Sequence, residues 1–140
     1  KTPYEILYQK SEAGKKLYEK FDKILRVYQN FLDRAISENN DAKLMVFTYT
    51  SKGYSFSSEL SNELIYRYPE KIILVGREQN DDVKGSLRSS ETSGIELPSI
   101  LSKALTGIEG QGGGHTFACG FHVKKQDFIK FKNRIQKSIK

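Results

Sequence analysis

Residues 110–120 read GQGGGHTFACG, with five glycines and one histidine in eleven positions. Each glycine placed in a helix or strand costs roughly 0.5–1 kcal/mol relative to alanine, because it loses more backbone freedom on folding. The run is therefore expected as a loop, where the backbone takes positive φ angles or passes very close to something else. Successive glycine N–H groups in such a loop can line one concavity and bind an anion. His115 closes the run with a ring that can donate to a phosphate or stack on a base. The plain alternative is a flexible loop that ends in a histidine.

The rest of the composition narrows the setting. A chain of 140 residues is one domain by length and can bury a core without staples. Cys119 is the only cysteine, which excludes an internal disulfide and points to a reducing, intracellular (cytoplasmic) compartment. No apolar run approaches the ~18 residues of a membrane span, and no signal peptide is visible, so a membrane is not among the expected partners. The chain opens on Lys1, and its only methionine is Met45. The expectation is a piece of a longer protein. The net charge is +6, and it is concentrated at one end. Lys124, Lys125, Lys130, Lys132, Arg134, Lys137 and Lys140 stand against Asp127 alone, while the remainder is balanced. A basic end on a neutral body suits a phosphate-rich partner; the alternative is a solvated helix face.

Hydrophobic periodicity sets the order of elements. Residues 4–38 read as helix, with Leu17, Phe21, Ile24, Leu25, Tyr28, Phe31, Leu32, Ala35 and Ile36 at three- and four-residue steps, and with Gly14 able to break off an earlier turn. Residues 43–50 (KLMVFTYT) form a strand. Ser57 or Ser58 can cap a helix that runs to about Arg67 and stops at Pro69. Residues 71–76 (KIILVG) read as a buried strand, Asn80-Asp81-Asp82 as a turn, and 83–89 (VKGSLRS) as a third strand. Alternation puts Ser86, Arg88 and Ser90 on one face of that strand. Residues 97–105 form a short helix with Pro98 in its first turn. The glycine loop, a short strand at 121–123 and a helix at 126–139 complete the chain. The fold class is α/β: a small mixed-sheet domain with flanking helices, preceded by a long helix.

In this order the stretch 112–120, Gly-Gly-Gly-His-x-x-Ala-x-Gly, resembles the signature of the DHH-associated domain, the C-terminal substrate-binding module of RecJ-like DHH-family phosphoesterases. Lys84-Gly85-Ser86-Leu87-Arg88-Ser89 resembles the same family's Ser-x-Arg-Ser strand. The resemblance covers roughly residues 43–140. Two departures are visible: Thr116 stands where proline is common, and Cys119 where alanine is usual. Cys119 reads as a small buried hydrophobe. The division that the resemblance implies is 1–40 as a helical connector from an upstream DHH domain and 41–140 as the substrate- or nucleic-acid-binding domain.

The resemblance also implies a clamp on a phosphate or base of nucleic acid, formed by Ser86, Arg88, Gly112, Gly113, Gly114 and His115. Lys84, Ser90, Lys130 and Arg134 are further candidates. Arg88 can bind phosphate with two parallel bonds and stays charged. Ser86 can donate its hydroxyl hydrogen, and His115 binds anions better when protonated. Arg88 in a surface salt bridge, Ser86 as a structural serine and His122 as a structural histidine are the plain alternatives. Tyr49, Tyr54 and Phe56 are candidate stacking residues. No metal or catalytic residue is expected here, since the chain has two histidines and no grouping of Asp and His suited to a two-metal centre. The divalent metal, manganese by expectation, belongs to the upstream domain.

The leading expectation for the intact protein is a single-strand-specific exonuclease acting in DNA replication or repair, with single-stranded DNA or RNA as partner. One alternative is a phosphodiesterase of short oligonucleotides or cyclic dinucleotides. The other is a non-catalytic replication scaffold that docks on the GINS complex and the replicative helicase.

Overall fold

The computed structural model describes residues 12–139. The chain divides into two compact units, residues 1–35 and residues 36–140. The first is dominated by α1 (Glu12–Ser37), which runs through Gly14 without a break. It carries an Asp22–Arg26 ion pair at 2.7 Å and a hydrogen bond from Gln29 to Asp33 at 2.8 Å, both one helical turn apart. Leu17, Phe21 and Leu25 of its apolar stripe are exposed. The part of the expected helix before residue 12 lies outside the described residues.

The second unit is a mixed α/β domain. Its elements are β1 (Leu44–Thr50), α2 (Ser57–Arg67), β2 (Ile72–Gln79), β3 (Asp82–Arg88), α3 (Leu97–Ala104), β4 (Gly110–His115), β5 (Ala118–Lys124), a 3-10 turn (Lys125–Asp127) and α4 (Phe128–Ser138). The five strands order as β1-β2-β3-β5-β4. β1 and β2 run parallel, joined by α2 as the crossover; every other pair is antiparallel. Among the described residues no helix is long and apolar enough to cross a membrane.

Two local readings change. The glycine run is not a loop but the edge strand β4, paired with β5 from Gly110–Val123 to His115–Ala118. Its ladder bonds compensate the entropy that glycine loses, and the missing side chains let the strand sit close. A Cβ on Gly112 would lie 2.8 Å from the Gly120 carbonyl oxygen and 3.1 Å from Leu101. Gly114 has φ +154°, a conformation that side chains rarely adopt. The second change concerns α2: no serine caps it. Its N-cap is Phe56, without a side-chain cap bond, because both hydroxyls are taken elsewhere. Ser57 Oγ pairs with Tyr49 Oη at 2.9 Å, and Ser58 Oγ accepts from Arg88 Nη2 at 3.2 Å.

Smaller shifts follow from pairing. β2 extends to Gln79 because Arg77, Glu78 and Gln79 pair with Lys84, Val83 and Asp82. The turn shrinks to Asn80-Asp81, with Asn80 at φ +56°, which asparagine tolerates better than most residues. Asp82 therefore sits in the strand rather than the turn. β5 starts at Ala118, and the strand β3 ends at Arg88, which leaves Ser90 beyond it.

The core lies on one sheet face, where Ile72, Leu74, Val83, Leu87, Cys119, Phe121 and Val123 pack with Leu97 and Leu101 of α3 and Phe131 and Ile135 of α4. Phe121 and Phe131 have ring centroids 4.9 Å apart. α2 covers the other face over β2 and β3, with Leu60 and Leu64 fully buried. Lys71 is buried, yet its ammonium donates to the carbonyls of Asn40 and Ala42, which ties the turn before β1 to the start of β2. Gly85 fits beneath this packing so tightly that a Cβ would lie 1.9 Å from the Val75 carbonyl oxygen. Gly85→Ala is expected to destabilise the domain by about 1–3 kcal/mol through overpacking, measured as a lower urea midpoint with unchanged slope.

Candidate functional site

In an antiparallel pair, residues directly opposite share a face. The register therefore lays out three rows on the α2 side of the sheet. Ile73, Arg88, Ala118 and His115 form the first; Val75, Ser86, Gly120 and Gly113 the second; Arg77, Lys84, His122 and Gln111 the third. α2 roofs the β2 end of these rows. At the other end all six residues of β4 are exposed, so β5 and β4 present an open floor.

Arg88 is half-buried at the junction of roof and floor. Its Nε donates to Asn62 Oδ1 at 2.9 Å and its Nη2 to Ser58 Oγ at 3.2 Å, both on α2. Its Nη1 donates to the carbonyls of Leu87 at 3.0 Å and Cys119 at 3.2 Å. Four of its five N–H bonds thus fix the guanidinium, and one on Nη2 remains. No described ion pair includes Arg88. Burial lowers its pKa from the ordinary arginine value, but a guanidinium stays charged. Arg88 is therefore a rigidly held, uncompensated cation rather than half of a surface salt bridge.

Around it stand the other motif residues. Ser86 is buried, one row along from Arg88. His115 is exposed at the end of β4. The two-residue turn after it is held by Phe117, whose carbonyl accepts from Ser89 N at 3.0 Å, and by Thr116, whose carbonyl accepts from Leu97 N at 2.8 Å. Ser89 Oγ in turn donates to the Ile95 carbonyl at 2.7 Å. The second serine of the Ser-x-Arg-Ser segment thus anchors the turn that carries His115. Cys119 is buried, its thiol pKa pushed up by that burial, and its Sγ donates to the His115 carbonyl at 3.3 Å.

The glycines separate by role. Gly110, Gly112 and Gly114 are demanded by the fold, since a Cβ on any of them would come within 2.8 Å of a backbone oxygen. Gly113 and Gly120 face each other across β4 and β5. A Cβ on Gly113 would meet nothing within 4 Å, and one on Gly120 only the Gly85 carbonyl oxygen at 3.7 Å. Neither has a positive φ. Glycine weakens a strand, and neither crowding nor backbone conformation accounts for this pair. A bare floor between Ser86, Arg88 and His115 lets something from outside lie directly on the backbone.

Several sequence candidates are not brought to this place. Ser90 Oγ donates to the Pro69 carbonyl. Arg134 Nη1 donates to the carbonyls of Ala104 and Thr106, closing the C-terminal end of α3. α4 packs on the opposite sheet face, so Lys130 and the other cations of α4 do not continue the clamp. Tyr49 is 2% exposed and Phe56 7%, which makes both core residues. Tyr49 Oη also accepts from Phe56 N at 2.8 Å and so fixes the start of α2. Only Tyr54, 42% exposed, remains open to stacking. Sequence reading missed the floor role of Gly120 and the grip of Asn62 on Arg88. The first was legible in the alternation of β5; the second had no signal, since Asn62 lies 26 residues from Arg88.

The sequence of residues 41–140 matches the DHHA1 domain family. The chain belongs to that family. The match bears out the resemblance carried by the two motifs. No curated protein matches the chain. Among solved structures, the DHHA1 domain is similar to RecJ from Thermus thermophilus in complex with Mg2+, with a TM-score of 0.71 and 17% identity over 90% of this chain and 19% of that one. It is similar to the pGpG-specific phosphodiesterase PggH from Vibrio cholerae, with a TM-score of 0.59 and 16% identity over 99% of this chain and 46% of that one. It is also similar to the C-Ala domain of Aquifex aeolicus alanyl-tRNA synthetase, with a TM-score of 0.56 and 12% identity over 71% of this chain and 94% of that one. At these identities the likeness is one of fold. The DHHA1 chain spans about a fifth of the RecJ chain.

At the far end of β3, Asp82 Oδ1 lies 3.2 Å from Lys124 Nζ and 3.4 Å from His122 Nε2. The Lys124 ammonium beside it is the main reason that the Asp82 carboxyl is held below its ordinary pKa, and the same ion pair raises Lys124. A lowered carboxylate pKa stabilises the fold above the unfolded value, and that contribution is lost as pH falls through the folded value. Lys124 contributes below its unfolded pKa and loses that contribution as pH rises through the folded one. The difference in urea midpoint between the DHHA1 chain and its Asp82→Asn variant is expected to be present at neutral pH and to vanish as pH drops below ~3.9. A difference that stays constant over that range contradicts this.

Proposed function

We propose that this chain is the nucleic-acid-binding module of a RecJ-like single-strand-specific exonuclease, gripping a strand by its backbone near the end to be cut. The observation that carries the reading is the uncompensated, immobilised guanidinium of Arg88 beside a floor of Gly113 and Gly120 that the chain's own packing leaves bare. The free Nη2 hydrogen of Arg88 and the Ser86 hydroxyl would donate to phosphate oxygens. The edge strand β4 points alternate N–H groups away from the sheet, where they can add donors. His115, fixed by the tied turn, would orient the terminal nucleotide. Because the donors are already held by α2, β3 and β5, little ordering is lost on binding.

Hydrolysis is assigned to another domain. Among the described residues no group of three or more His, Cys, Asp or Glu side chains gathers, so this donor set does not fit a divalent metal. The metal that the resemblance implies is placed by this proposal on an upstream DHH domain, which is also the module's expected partner.

Fluorescence anisotropy with labelled single strands of roughly 2, 6 and 20 nucleotides tests the reading, since strand-backbone binding grows with length and weakens with salt. Affinity is expected to rise with length, to fall with salt and to drop about tenfold or more in an Arg88→Ala/His115→Ala variant. Binding already complete with the dinucleotide would assign the chain to a short-oligonucleotide or cyclic-dinucleotide phosphodiesterase. No binding at any length would favour a scaffold docking on the GINS complex and helicase. Gly113→Ala gives a second check. Its stability should stay within about 0.5 kcal/mol of the parent chain, whereas its strand affinity should fall because a methyl group occupies the floor.

A further inference from the structure

A cavity of about 430 Å³ opens beside the clamp, under the start of α2. Its walls include Ser55, Ser57, Ser58, Arg77, Lys84 and Ser86, and no carboxylate lines it. Two cations and four serines therefore line a space without a carboxylate of its own, and Asp82, which borders an adjoining pocket with Arg77 and Lys84, is the acid nearest to it on that face. Nearby acids are engaged elsewhere. Asp82 holds Lys124 and His122, and Glu78, on the other face, pairs with Lys125 at 3.4 Å. Lys84 is exposed and takes part in no described ion pair. Arg77 donates from Nη2 to the Ser51 carbonyl at 2.8 Å, while its Nε is buried and has no hydrogen-bond partner.

Position relates this cavity to the clamp. Arg88, Ser86 and Lys84 leave the same face of β3 at two-residue steps, about 6.6 Å each, with the bare Gly120–Gly113 row between the ends. A strand lying on that floor with one phosphate at Arg88 can run along β3 toward Arg77 and Lys84.

We propose that the Arg77–Lys84 cavity is a second phosphate seat, so that the open sheet face holds two phosphates of one nucleic-acid strand. This rests on the strand-clamp reading of Arg88 and His115. It adds that the substrate is an oligonucleotide with at least two phosphates within reach of the sheet rather than a mononucleotide. Arg77 and Lys84 supply charge, and Ser86 supplies a hydroxyl donor at the seat.

The test is calorimetric titration of the chain with the 5′-phosphorylated thymidine monomer, dimer and trimer, alongside Lys84→Gln, Arg77→Gln and Arg88→Ala/His115→Ala. Circular dichroism and melting confirm that each variant is folded. Lys84 is exposed, so Lys84→Gln serves even if Arg77→Gln is unstable. The trimer is expected to bind about tenfold tighter than the monomer. Lys84→Gln should erase most of that gain and flatten the salt dependence of trimer binding while leaving monomer affinity unchanged. The Arg88→Ala/His115→Ala variant should weaken the monomer as well. Equal affinity for monomer and trimer, a gain that survives in Lys84→Gln, or a monomer weakened as much as the trimer by Lys84→Gln would each overturn the second seat while leaving the clamp intact. Failure of every oligomer to bind would overturn the clamp and this proposal together.

Discussion

The pairing of β3 with β5 is the constraint on which the site depends. It joins the β1-α2-β2 half of the domain to the β4–β5 hairpin over seven positions, from Asp82–Lys124 to Arg88–Ala118. It also brings the two motifs together, since one lies on β3 and the other on the hairpin. A slip of β3 by one residue would carry Arg88 and Ser86 into the apolar core and expose Leu87. The register is keyed by bulk as well as by hydrogen bonds. A Cβ on Gly85 would lie 2.9 Å from the Phe121 ring, and that ring packs in turn on Phe131. The burial that holds α4 in place thus also fixes which residues face the open floor.

Charge placement gives a second lesson. The most basic segment of the chain belongs to β5's end and α4, and α4 packs on the core face, where Arg134 closes α3 by hydrogen bonds to carbonyls. The cations that remain uncompensated on the site face are fewer and come from β2 and β3. For Arg88 the effect lies in the lack of an ion-pair partner and in rigid mounting, not in number. A half-buried guanidinium held by neutral acceptors is screened less than one at an exposed surface, and no ion pair offsets its charge.

Much of the fold was legible in the sequence where side chains carried the pattern. The apolar run 71–76, the helix stopping before Pro69 and the stripe of the last helix all appear close to where periodicity places them. The glycine run was misread because composition speaks for intrinsic preference alone, and β4 exists through a partner strand that intrinsic preference does not see. The serines that open α2 were misread as caps for a similar reason, since Tyr49 and Arg88, distant in sequence, take their hydroxyls. At the candidate site, motif spacing singled out Arg88, Ser86 and His115, which the sheet register places on one face. The open pair Gly113–Gly120 and the cavity at Arg77 were not, because each is defined by what its neighbours leave empty.

The central claim is that the face formed by Arg88, Ser86, Gly113, Gly120 and His115 receives the backbone of a nucleic-acid strand. Amide and arginine-Nε NMR spectra of the chain, recorded while a 5′-phosphorylated thymidine trimer is added, test it most directly. The account predicts that the largest shifts fall on Gly113, Gly120, His115 and the Arg88 Nε–H, with α4 nearly silent. Shifts concentrated on Lys130, Lys137 and their neighbours, with the glycine floor unmoved, would contradict it.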